Sequence, residues 1–160
     1  MKVILLFLSL IFCCCIYSQS HQLLQHNGTA LDVNYIKQEG HLVYYSNFDS
    51  QEHQSISIHV VAEVKSLTSS KKQVITQKTE VRSKDDYLKV IVLEDEKQTV
   101  GLKKVQLFNG QLNKAKGISV WEQYEITKRA VKYRTAGKGF PFVIITRSTN
   151  GSYEATAYDY

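Results

Sequence analysis

The chain has 160 residues, a formal net charge of +5 at pH 7, a single proline, and three cysteines side by side at Cys13, Cys14 and Cys15. That length bounds it to one domain once a leader is set aside. No cysteine follows Cys15, which excludes a thiol nucleophile, a disulfide oxidoreductase and a Cys-ligated metal from the rest of the chain.

Residues 1–20 read as a signal peptide. Lys2 is a short positive start, residues 3–16 are apolar apart from Ser9, and Ser18 and Ser20 supply small residues for cleavage. The apolar run is too short for a spanning helix of ~20 residues. The stretch "SQSHQLLQHNGT" that follows has no Lys or Arg flank. Phe12, directly before Cys13, is too bulky for a lipoprotein signal. The three thiols are therefore expected to leave with the leader, as small hydrophobes of its core. This predicts a secreted or periplasmic protein of about 140 residues, with no transmembrane segment in its mature form.

Residues 21–30 are read as an N-terminal extension, with "HQLLQHNG" able to form one or two helical turns. Residues 31–160 are read as one antiparallel β domain. "HLVYYSNF" (41–48) is β-branched and aromatic. "SISIHVVAEV" (55–64) alternates Ile56, Ile58, Val60, Ala62 and Val64 on one face, the pattern of a single half-buried strand. "QVITQKTEVRS" (73–83) is strand-like but mostly polar, which predicts an edge strand or an exposed hairpin arm. "YLKVIVLE" (87–94) suits a central strand, and "TVGLKKVQLF" (99–108) alternates with a phase slip at Lys103-Lys104, where a bulge is expected. "GISVWEQYEIT", "AVKYR", "FPFVIITRS" and "SYEATAYDY" complete the strands. Pro141 belongs at a strand start or an edge. Asn27-Gly28, Asn109-Gly110, residues 136–139 and Asn150-Gly151 are turn signals, the last marking a hairpin. No strand alternates with a 10–15-residue helical pattern, which argues against a parallel α/β sheet. The expected fold is all-β: one antiparallel β-sandwich or barrel-like domain of about eight to ten strands.

The residues offer little catalytic chemistry. His21, His26, His41, His53 and His59 have no metal-binding spacing, so no metal or cofactor is expected. No Gly-x-Ser-x-Gly elbow occurs, and "TAGKGF" lacks the full phosphate-loop pattern. Asp85-Asp86 and Glu94-Asp95-Glu96 read as charges guarding the ends of an apolar strand. An enzyme is not expected. Asn27 and Asn150 begin glycosylation sequons, which matter only in a eukaryotic source.

Two features point to binding. Trp121, Tyr124 and Tyr133 are candidate ligand contacts, Trp121 because strand alternation puts it on the polar face. Residues 97–138 carry ten basic groups against two acidic ones, a local excess of eight. Within it, strand geometry aligns Lys128, Lys132 and Arg134 as one exposed stripe, with Lys103, Lys104 and Lys138 as additions. This predicts an anionic polysaccharide or surface as partner, and an extracellular address argues against nucleic acid. The function expected is a non-enzymatic β-rich binding domain. The alternative is a small barrel or sandwich that carries an apolar ligand in an aromatic-lined cavity.

Overall fold

The computed structural model describes residues 20–47, 50, 52–111, 117–147 and 152–160. Residues 1–19 of the expected leader and the Asn150-Gly151 turn lie outside them. Among the described residues, two sheets, one long helix and short 3-10 segments make up the fold.

The first sheet is antiparallel throughout. Its strands are β1 (His21–Gln25), β2 (Ala30–Glu39), β3 (Leu42–Ser46), β4 (His53–Ser57), β5 (Val61–Ser66) and β6 (Lys72–Val74), in the order β4-β3-β2-β1-β5-β6. The helical turns expected over 21–28 are absent. His21–Gln25 is an inner strand, because Leu23 is fully buried against its partners and the hairpin to β2 is tight. Asn27-Gly28 makes that turn as expected: Gly28 sits at φ +88°, and the Asn27 side chain accepts from the Thr29 N–H.

The single strand expected over 55–64 is broken. The Val60 N–H donates to the Ser57 carbonyl and the Val61 N–H to the Ile58 carbonyl, a turn that ends β4 and starts β5. This turn forces the sheet to roll. Three strands lie between β4 and β5, so in a flat sheet these two would be about 19 Å apart at the usual strand spacing. The link from Ser57 to Val61 reaches at most about 14 Å even fully extended. The sheet must curl until its ends approach, although among the described residues no ladder joins β4 to β5 and the roll stays open. Leu23, Val33, Val43, Tyr45, Ile56, Val60, Val61 and Val64 fill its interior.

The second sheet runs β7-β9-β10-β8, from β7 (Ile91–Leu93), β9 (Phe142–Arg147), β10 (Ser152–Asp159) and β8 (Lys103–Gln111). β7 and β9 are parallel, and the other pairs are antiparallel. β7 is a three-residue edge strand and not the central strand expected over 87–94. Residues 84–89 form a 3-10 segment instead, started by a reciprocal cap between Ser83 and Asp86. Pro141 stands just before β9, as expected, and the register slip near Lys103-Lys104 is a bulge where β8 meets Ala157 and Tyr158 of β10. Of the edge strand expected over 73–83, only its start belongs to β6. Residues 75–83 continue outside both sheets.

The largest departure is α1 (Val120–Ala136), a helix where strands were expected. Thr127, Val131, Thr135 and Ala136 are its buried residues. Val131 and Ala136 join Phe108, Val143, Tyr153, Ala155 and Ala157 of the sheet in a second core. Asn109-Gly110 makes no turn but lies within β8, where Gly110 lets the Tyr153 ring lie across the strand: a Cβ there would come within 2.4 Å of that ring.

The two cores meet at Phe142, which is fully buried. Its ring lies 5.2 Å from His59 of the rolled sheet and 5.1 Å from Tyr160. Tyr160 in turn meets His26 at 5.0 Å, and its hydroxyl accepts from the Thr79 N–H.

Candidate anionic-partner surface

Ser119 starts α1, its hydroxyl accepting from the Glu122 N–H at 3.2 Å. With about 100° of rotation per residue, Trp121, Tyr124, Lys128 and Lys132 share one flank of the helix. The stripe of three cations expected on a strand is thereby rearranged. Lys128 and Lys132 remain neighbours, one turn apart. Arg134 goes to the opposite flank, where its guanidinium lies 5.0 Å from the centre of the Phe108 ring.

Arg147, at the end of β9, completes the cluster. Its guanidinium stacks 3.9 Å from the centre of the Tyr124 ring, and the Lys128 ammonium approaches the same ring at 5.8 Å. Such contacts hold a cation in place while its outer N–H groups stay available. Lys128 also pairs with Glu125 at 3.6 Å. The Lys132 ammonium donates to the Leu88 carbonyl at 3.1 Å. Partial burial, with Lys128 close by, holds its pKa below the ordinary lysine value. Trp121 is 72% exposed in the first helical turn. The flank thus offers three positive groups and two aromatic rings, with one carboxylate already engaged.

The other candidates lie elsewhere. Tyr133 packs edge-on against Tyr87 with Lys84 over its ring. Lys103 and Lys104 open the edge strand β8, opposite Asp159 and Tyr158. Lys138 is exposed beyond the end of α1. Asn27 is exposed in its hairpin turn, and Asn150 lies outside the described residues. Sequence reasoning missed Arg147 and Leu88, because neither belongs to the basic segment or to a recognisable motif.

Among the described residues, clefts of about 330, 430 and 420 Å³ open to solvent. The first is lined by Tyr35, Val64, His21 and Lys71 among others, from β2, β5, β1 and the link between β5 and β6. None of the three gathers more than one tyrosine or phenylalanine. Among the described residues no three His, Cys, Asp or Glu side chains converge as a metal site would require, and no helix is long and apolar enough to cross a membrane.

Comparison with protein-family models, with curated proteins and with solved structures finds no match to this chain.

Proposed function

We propose that the protein is a secreted or periplasmic, non-enzymatic binding domain that engages an anionic partner through the flank of α1. The observation that carries this reading is the meeting of Lys128 and Arg147, from two elements far apart in sequence, at the Tyr124 ring, with Lys132 one turn beyond Lys128 on the same flank of the helix. A single exposed ion pair contributes less than ~1 kcal/mol, so useful affinity needs several cations acting together on one partner. The apolar leader supports the extracellular address. The alternative of an enclosed apolar ligand draws no support from the three clefts, which are open and poor in aromatic side chains.

Salt elution from a heparin matrix tests the reading. Lys128→Glu/Lys132→Glu/Arg147→Glu should elute at clearly lower salt than Lys65→Glu/Lys71→Glu/Lys97→Glu, which makes the same charge change elsewhere. Equal elution of the two variants would sink it, because retention would then follow net charge and not this surface.

A further inference from the structure

Resting on that reading, we infer that the anionic partner is a lipid bilayer surface, met by the α1 flank lying against the headgroups. Charge alone does not separate a membrane from a soluble polyanion. The apolar side chains do. Leu88, Val120 and Trp121 are 72%, 71% and 72% exposed, the three most exposed large apolar side chains among the described residues. Scattered exposed apolar residues are ordinary. These three stand at the two ends of one basic flank: Val120 and Trp121 in the first turn of α1, and Leu88 where its carbonyl receives the Lys132 ammonium. Trp121 and Lys132 are eleven positions apart, so the flank is about 16 Å long at 1.5 Å per residue.

A polysaccharide or nucleic acid would use the cations and could stack on Trp121, but it gains nothing from Val120 and Leu88. A bilayer interface uses all of them. Val120 and Leu88 enter the boundary of the acyl chains, and the indole settles at headgroup depth. The lysines lay their methylene stems along the apolar boundary and keep their ammonium groups at the phosphates. The inner face of α1 is committed to the second core, so contact is shallow and reversible. One amphipathic flank with three cations suits a salt-sensitive peripheral attachment and not an anchor.

Trp121 is the chain's only tryptophan, so its emission reports on this flank alone. The protein recovered after export is titrated with vesicles of phosphatidylcholine and phosphatidylglycerol, with pure phosphatidylcholine vesicles, and with heparin. The expected result is a blue shift with the anionic vesicles only, reversed by salt. Leu88→Ser/Val120→Ser keeps the reporter and should weaken anionic-vesicle binding about tenfold, with heparin retention unchanged. No shift with anionic vesicles, a shift with heparin instead, or undiminished vesicle binding by the double variant overturns the membrane inference. If heparin retention still falls on reversing Lys128, Lys132 and Arg147, the anionic-partner reading outlives that failure. If retention does not fall, both are lost.

Discussion

The rolled sheet of residues 21–74 and the helix-covered sheet of residues 91–160 solve the same problem in different ways. The first buries one face of a sheet in itself. Its neighbours along the chain are mostly neighbours in space, and its interior is Leu, Ile, Val and Tyr. The second needs a helix to cover its face, and that helix contributes only Thr127, Val131, Thr135 and Ala136 as buried residues. A face of threonine and alanine is weakly apolar, so most of the second core's apolar surface comes from the strands. The same economy leaves the outer flanks of α1 free to carry cations and exposed apolar groups. The proposed binding surface thus lies on the half whose covering helix adds little to the core.

Breaking the joint between the halves gives the largest effect. Phe142 is fully buried and touches both sides, through His59 and Tyr160. Phe142→Ala should cost about 3–5 kcal/mol in urea unfolding. Fluorescence, which follows Trp121 in the second half, should then part from far-ultraviolet dichroism, which sees both halves. An unchanged midpoint would mean that the halves do not depend on this contact.

A smaller change, at Gly101, tests how the halves interleave. Gly101 belongs to the segment between β7 and β8, yet a Cβ there would lie 2.8 Å from Ile56 Cγ1 and 3.2 Å from Val60 Cγ2 in the rolled sheet. Its φ of +88° also disfavours any side chain. Gly101→Ala should destabilise by about 1–3 kcal/mol. Tyr45, on the first half, should report it as strongly as Trp121 does. A neutral substitution would show that the close approach to Ile56 and Val60 relaxes freely.

The joint is also where pH should act. Burial lowers the pKa of His26, with the positive Lys78 adding to it. Burial likewise lowers that of His59, with His41 adding. The single hydroxyl proton of Thr76 is directed at the Ile58 and Val61 carbonyls, so His26 Nε2 must donate to Thr76, which the neutral ring can do. Both groups bind protons less readily folded than unfolded. Their contribution is therefore complete above the unfolded value near 6.5 and is lost as pH falls below it. The melting temperature should drop between pH 7.5 and pH 5, and His26→Gln/His59→Gln should flatten that slope. A parent profile that is flat over this range would refute the linkage.

Much of the rolled sheet is legible in the sequence. Residues 42–46 and 61–66 are strands of β-branched and aromatic residues, and Asn27-Gly28 turns where its chemistry says it should. The turn at 58–60 is hidden because Ile58, Val60 and Val61 are all apolar, and only the short link between distant strands reveals it. In the second half the helix is disguised. Ile126, Thr127, Val131 and Thr135 are β-branched, and short windows of them alternate as a strand would. The buried positions 127, 131 and 135 do recur every fourth residue, but threonine at two of them mutes the signal. Of the candidate site, Trp121, Tyr124, Lys128 and Lys132 are legible as residues, but their grouping is a property of the helix. Arg147 reaches them only through the packing of β9.

One signal for the helix is present and small: Ser119 followed three residues later by Glu122, with Gly137 just past the end. The Ser119 hydroxyl satisfies the Glu122 N–H, one of the donors a helix start leaves unpaired. Ser119→Ala removes that acceptor and should cost about 1 kcal/mol, whereas Ser119→Asp should retain the stability, since a carboxylate caps as well and favours the positive end of the helix dipole. The loss should be local. Amides of the first turn should exchange faster in the alanine variant, and Trp121 emission should move slightly toward that of free indole, with the rolled sheet unaffected. A strand over the same residues would be indifferent to both substitutions, because its N–H groups are satisfied by a neighbouring strand and not by a cap. Equal stability of Ser119→Ala, Ser119→Asp and the parent would therefore count against the start of α1 at Val120, and with it against the grouping of Trp121, Tyr124, Lys128 and Lys132 on one flank.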